Sequence, residues 1–305
     1  MNGIQLLPDR ALDHLRRPAR VPDLSGTRYE LGEELGRGEM SVVYAARDTR
    51  LNRHIALKVI DVEFGPLHAG TDPIQEARIL ASLEHPGVVP IYDTGTLPDG
   101  RVYYATRLLK GEFLDAFLDR ENSLLERVRV FQKICDAIAF AHQCGVIHRD
   151  LKPQNVLVGS FGEVFVTDWG VAEWLMGAGR TRPESAGESM RYMAPEQARE
   201  RVDSVDGRAD IFSLGAILND VMRRDRPRPL AAIAQKALAP DPVERYQHVQ
   251  HLAADLKRFL DGLPVSAYDE NLLERARRFA EKNRTLLLLL ATYALVRFAV
   301  AVFSG

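Results

Sequence analysis

HRDLKPQN, residues 148 to 155, packs a histidine, a forked cation, a carboxylate, a lysine and a carboxamide into eight positions. It is bracketed by GVIH before and VLVG after, two short β-branched runs that read as strands. The plain alternative is a polar turn between those strands. The choice rests on whether further motifs follow in a fixed order along the chain.

At 305 residues the chain is long enough for one large domain or two lobes, each with its own core. Its 46% hydrophobic and 27% charged content is that of an ordinary globular protein, and the net charge of −2 gives no general attraction to nucleic acid. Function must therefore come from local sites. The two cysteines, Cys135 and Cys144, fall in one helical-looking run, too far apart to bridge without distortion, which fits a reducing cytoplasm. Residues 1–27 have scattered charges and no apolar stretch of signal-peptide length, so they read as a leader with one short helix.

From Tyr29, YELGEELGRGEMSVVYAARD alternates like two strands joined by a glycine-rich turn. Gly36 and Gly38 would let backbone amides approach phosphate oxygens, although two glycines alone also suit a plain hairpin. The next strand, HIALKVI, places a single lysine, Lys58, in an apolar run. A lysine there is costly unless paired. Glu76 is the candidate partner, on a helix expected to start with Asp72 as cap and Pro73 in its first turn. HPGVVPIYDTG and RVYYATRLLKG read as two more strands.

With these motifs in order, the chain resembles a eukaryotic-like Ser/Thr protein kinase of the kind found in bacteria, over about residues 29 to 262. The resemblance implies an α+β bilobal kinase fold: a small β-rich N-lobe over about 29–109, a larger helical C-lobe over about 110–262, and ATP in the cleft between them. It implies that Gly36, Arg37, Gly38, Val43, Ala56, Lys58 and Leu157 line the nucleotide site. Thr106 would stand at the back of the adenine pocket, with the backbone of Arg107 and Leu109 on the adenine edge. Lys58 and Glu76 would position phosphates, Asp150 would accept the proton of the attacking hydroxyl, and Lys152 would steady the transferring group. Asn155 and Asp168 would hold Mg²⁺. Asp168 opens Asp168-Trp169-Gly170, where the family usually has Asp-Phe-Gly.

LLERVRVFQKICDAIAFAHQCG has apolar residues at helical spacing and reads as a core helix leading into the 148–155 loop. EVFVTDWG reads as a strand ending in Asp168. The activation segment then runs from Asp168 to Glu196, and its Gly- and Ser-rich middle predicts mobility until something orders it. Phosphate on Thr181 or Ser185 would pair with Arg149, while Ser189 would contact the catalytic pair. Asp210, in DIFSLGAIL, is implied to hold the backbone of the catalytic loop, and Arg245 to pair with Glu196. Two departures from the family pattern stand out. Ser41 occupies the place of a third loop glycine, and only Arg223 to Pro229 separates the Asp210 helix from the next apolar one, so the C-lobe is shortened there.

Beyond HVQHLAADLKRFLDGLP, residues 263–284 read as a basic juxtamembrane helix and 285–303 as a C-terminal hydrophobic, transmembrane helix. Residues 274–284 carry Arg275, Arg277, Arg278, Lys282 and Arg284 against Glu274 and Glu281, the bias that favours the cytoplasmic side. Arg297 is one charge within the span, near enough to its end to snorkel. A single-pass protein of the cell membrane with its kinase domain in the cytoplasm follows. With only Ser304 and Gly305 beyond the span, no external sensor domain is expected in this chain. Expected cofactors are ATP and Mg²⁺. Expected partners are protein substrates and the membrane lipid bilayer, with room for a homodimer that phosphorylates itself in trans, and no nucleic acid. The competing readings are a membrane-held pseudokinase that binds nucleotide without turnover, and a kinase acting on a small molecule.

Overall fold

The computed structural model describes residues 21–38, 41–60, 74–121, 123–169, 173–174, 187–198 and 205–303. The chain divides into two units, 1–77 with 90–108, and 78–89 with 109–305.

In the first unit, β1 (Tyr29–Arg37), β2 (Ser41–Asp48), β3 (Arg53–Ile60), β4 (Ile91–Thr96) and β5 (Val102–Arg107) form one antiparallel sheet of order β1-β2-β3-β5-β4. Alternation along the strands sends Val42, Tyr44 and Ala46 of β2 and Ile55, Leu57 and Val59 of β3 into a core with Tyr29, Leu97, Tyr103 and Ala105. The turn between β2 and β3 is closed by buried Asp48, whose Oδ1 accepts from the amides of Arg50 and Leu51 at 3.1 Å each. The same alternation leaves Val43, Ala56, Lys58 and Thr106 on the opposite face. Val43 stands across from Lys58, and Ala56 across from Thr106. Helix α1 (Gln75–Ser82), of which residues 75–77 belong to this unit, carries Glu76 in its first turn. The expected cap, Asp72, and Pro73 lie outside the described residues.

The second unit is mostly helical. A three-stranded sheet of order β6-β8-β9 joins β6 (Gly111–Phe113), β8 (Val156–Gly159) and β9 (Val164–Val166), and β7 (Val146–Ile147) pairs with β10 (Glu173–Trp174). The helices are α2 (Leu114–Arg120), α3 (Leu124–Gln143), α4 (Pro195–Ala198), α5 (Arg208–Met222), α6 (Arg228–Ala237), α7 (Val249–Leu260), α8 (Leu272–Lys282) and α9 (Arg284–Phe303). Short α2 was not expected, and β9 stops at Val166, two residues before Asp168. Helix α3 is the expected core helix: Val128, Phe131, Ile134, Cys135 and Ile138 are fully buried at helical spacing. Burying each large apolar side chain contributes about 1.5–3 kcal/mol. Ser123 caps this helix by accepting the Glu126 amide at 3.4 Å. Both cysteines are free thiols.

The shortened stretch after α5 has a packing counterpart. Residues 223–227 link α5 directly to α6, and buried Arg127 of α3 holds the link through Asp225 at 3.1 Å. Gly215 lets the two helices approach, since a Cβ there would lie 2.8 Å from Cβ of Ala237 and 2.9 Å from Cγ of Leu238. At the C-terminus, α9 forms over the residues expected to span a membrane. Among the described residues, however, no helix is long and apolar enough to cross one. The apolar positions Leu286, Leu287, Leu295 and Phe298 of α9 have side chains outside the described set.

Candidate active site

In the first unit, Lys58 Nζ donates to Glu76 Oε2 at 2.6 Å, with the two side chains only 19% and 10% exposed. The strand places the lysine on the face away from the core, and the helix brings the carboxylate to it. Removing one partner of a pair this sheltered leaves an uncompensated charge. Gly36 is open, with no heavy atom within 4 Å of where its Cβ would be. The Gly38 amide is occupied, donating to the carbonyl of Ser41 at 2.8 Å, so the residue that replaces a third glycine closes the hairpin. Arg37 is turned to Glu34 at 2.7 Å, an exposed pair. Thr106 and Arg107 end β5, and the Arg107 amide donates to the Pro90 carbonyl at 3.3 Å.

In the second unit, the 148–155 loop is held from below by Asp210 of α5, which has no solvent exposure. Its Oδ2 accepts the His148 amide at 2.9 Å and its Oδ1 the Arg149 amide at 2.8 Å, while His142 Nε2 lies 2.8 Å from Oδ2. Burial pushes this carboxyl up. The contacts with His142 and His148 outweigh it, leaving the group below the usual carboxylate range. Arg149 takes a left-handed backbone, φ 70°, and its carbonyl accepts from Gln197 Nε2 at 3.0 Å.

Above this support, Asp150 Oδ2 accepts from Lys152 Nζ at 2.7 Å and from Asn155 Nδ2 at 3.0 Å. Asn155 Nδ2 also donates to the Asp150 carbonyl at 2.7 Å. That fixes the sense of the amide and leaves Oδ1 as the atom able to ligate a cation. The Asn155 carbonyl accepts the Thr167 amide at 2.8 Å, and His148 Nε2 lies 3.0 Å from the Thr167 carbonyl, so the loop and the segment bearing Asp168 are tied together. Asp168 is exposed and also left-handed, φ 60°. Trp169 beside it is buried, packs against the His148 ring at 4.6 Å between centroids, and donates its indole N–H to the Val166 carbonyl at 3.1 Å. Leu157 follows on β8. A divalent metal would find hard oxygen ligands in Asn155 and Asp168, which suits Mg²⁺ bound jointly with phosphate.

Glu196 and Arg245 form a bidentate pair at 2.6 and 2.8 Å. All five guanidinium N–H groups of this buried arginine are used, the others going to the carbonyls of Ala239, Arg208 and Pro240. Thr181 and Ser185 lie outside the described residues. Ser189 falls in the 3₁₀ turn Gly187–Tyr192, its side chain outside the described set. Three supporting residues escaped the sequence reading: His142, Gln197, and Tyr192, whose hydroxyl donates to Asp220 at 2.7 Å. His142 had a weak signal as the polar end of the core helix just before the loop. The other two had none.

A family model described as "protein kinase domain" matches residues 29–267. The chain belongs to the protein kinase family. Among curated relatives, the kinase is 34% identical over 289 residues to the serine/threonine-protein kinase PknB of Mycobacterium tuberculosis, covering 81% of this chain and 45% of that protein. A probable serine/threonine-protein kinase of Streptomyces coelicolor is 33% identical over 288 residues, 81% of this chain and 42% of the relative. The serine/threonine-protein kinase PknD of Chlamydia muridarum is 33% identical over 301 residues, 77% of this chain and 32% of the relative. The kinase thus spans less than half the length of these relatives. The β-sheet unit and the helical unit correspond to the N-lobe and C-lobe of the bilobal fold, and the family is that of the eukaryotic-like bacterial Ser/Thr kinases.

Trp169→Phe keeps an aromatic wedge but cannot donate to the Val166 carbonyl. Its unfolding free energy should fall by at least the roughly 0.5–1.5 kcal/mol of a net hydrogen bond. Denaturant titration checks this, and an unchanged or raised midpoint would show that the indole N–H does not hold the segment.

Proposed function

We propose that this chain transfers the γ-phosphoryl group of ATP to Ser and Thr hydroxyls of proteins. The observation that carries the reading is the Asp150, Lys152 and Asn155 cluster, assembled on a loop fixed by a buried carboxylate. Asp150 takes the proton of the attacking hydroxyl as the new P–O bond forms and the bond to the β-phosphate oxygen breaks, releasing ADP. Lys152, 2.7 Å from Asp150, offsets negative charge on the transferring group. Lys58, oriented by Glu76, binds the α- and β-phosphates. Asn155 and Asp168 would hold Mg²⁺, which would neutralise phosphate charge. Val43, Ala56 and Thr106, sharing one sheet face with Lys58, line the base side. A nucleotide-binding scaffold without turnover has no need for a proton acceptor and metal ligands together.

The reading extends to a membrane-held kinase with its catalytic part on the cytoplasmic side. Its support is the sequence: residues 285–303 are an apolar run with Arg297 as the one charge, close to the roughly 20 apolar residues a span needs. Leu288, Leu289, Leu290, Tyr293 and Val296 on it are exposed, and the five-to-two basic bias of 274–284 precedes it.

Asp150→Asn should leave ATP binding near the unsubstituted level while phosphoryl transfer drops about 10²-fold or more. Unreduced transfer of label from ATP to protein would remove Asp150 from the role. Alkaline carbonate without detergent should leave the chain in the membrane pellet, and its release would rule out a span.

A further inference from the structure

Helix α8 is attached to the kinase by its polar side. Asn271 Oδ1 accepts the Glu274 amide at 2.8 Å and Glu274 Oε2 accepts the Asn271 amide at 3.1 Å, a reciprocal cap that starts the helix. Glu274 Oε1 also accepts from Arg228 Nη1 of α6 at 3.1 Å and from the Tyr268 hydroxyl at 2.9 Å. One turn on, Arg278 pairs with Glu270. The segment leading into α8 is itself clamped by buried Asp255 of α7, which accepts the Ser266 amide and hydroxyl at 2.7 Å each and the Ala267 amide at 3.2 Å.

At 3.6 residues per turn, Glu274 and Arg278 share one side of α8, and Leu272 and Ala276 fall on the other with Leu273 at its edge. The exposures agree: Glu274 and Arg278 are 30% and 28% exposed, whereas Leu272 and Leu273 are 81% and 82% exposed. The sequence continues this apolar row at Phe279 and Ala280. An ordinary surface helix buries its apolar stripe and exposes its charges. This one does the reverse.

Two features identify what covers the outward stripe. Helix α8 leads directly into apolar α9. With Glu274 engaged by Arg228, the stripe is accompanied in sequence by Arg275, Arg277, Lys282 and Arg284 against Glu281. A helix with an apolar stripe, cationic flanks and a hydrophobic continuation has the chemistry of one lying in the interface of an anionic bilayer. We infer that α8 lies flat in the headgroup region, with Leu272 and Leu273 among the acyl chains and the flanking arginines on lipid phosphates. The Glu274–Arg228 pair then fixes one surface of the catalytic unit towards the lipid. This rests on the membrane-held reading of α9 and specifies the lipid contact of the preceding helix.

The test uses the full chain carrying Cys144→Ser, with Leu273→Cys labelled by a nitrobenzoxadiazole dye and Val243→Cys, 71% exposed on the kinase body, as the comparison site. Each is reconstituted with phosphatidylcholine–phosphatidylglycerol vesicles containing acyl-chain bromine and floated on a density gradient. The expected result is co-flotation, with blue-shifted emission quenched by bromine at 273 and water-like, unquenched emission at 243. Flotation with no quenching at 273 overturns the inference while leaving an α9 anchor in place. A blue shift at 273 that bromine does not quench overturns it in favour of a protein partner or a second copy. Failure to float overturns both the inference and the membrane-held reading.

Discussion

A carboxylate with no solvent exposure, Asp210, sits beneath two consecutive backbone amides, those of His148 and Arg149. The second belongs to a non-glycine residue in the left-handed region, a conformation costing roughly 1–2 kcal/mol. The Arg149 amide's hydrogen bond to Asp210 and the Gln197 amide's hydrogen bond to the Arg149 carbonyl offset that cost at the residue just before Asp150. Because the folded pKa of Asp210 is depressed, its contribution is complete above the ordinary carboxylate pKa. It is lost only as pH falls through the lower, folded value.

From this support the constraint passes outward through short bonds. Asp150 is bound by Lys152 and Asn155, Asn155 binds Thr167, and Thr167 is met by His148. Trp169 packs its ring, tilted, against that same histidine and reaches back to Val166. Asp150, proposed as the proton acceptor, and both candidate metal ligands therefore sit on one hydrogen-bonded body, the kind of preorganisation that electrostatic catalysis of phosphoryl transfer requires. Arg245 does the corresponding work at Glu196, its five donors spent on that carboxylate and three carbonyls.

Much of this was legible because the chemistry is local. HRDLKPQN sets its polar groups at short fixed spacings, Asp168 opens a short motif of its own, and a lysine in an apolar strand declares its need for a partner. The pairing of Lys58 with Glu76 followed from that need and the pairing of Glu196 with Arg245 from the family resemblance, and both pairs are present. What escaped was long-range or small. His142 meets Asp210 across 68 positions and Tyr192 meets Asp220 across 28, and neither residue type is unusual where it stands. Helix α2 has seven residues and no side-chain cap, too little pattern to separate it from a loop. The inverted attachment of α8 was also invisible, since periodicity shows that a helix has two faces but not which one the body will hold.

The account stands most directly on Asp210. In Asp210→Ala, two buried amides lose their acceptor, at about 1–3 kcal/mol for each stranded donor. Phosphoryl transfer at a temperature where the variant is folded should fall far below the unsubstituted rate. ATP affinity measured by calorimetry should change little, because Lys58 and Glu76 belong to the other unit. A folded Asp210→Ala chain that transfers phosphate at the unsubstituted rate would contradict the claim that this carboxylate holds the catalytic loop.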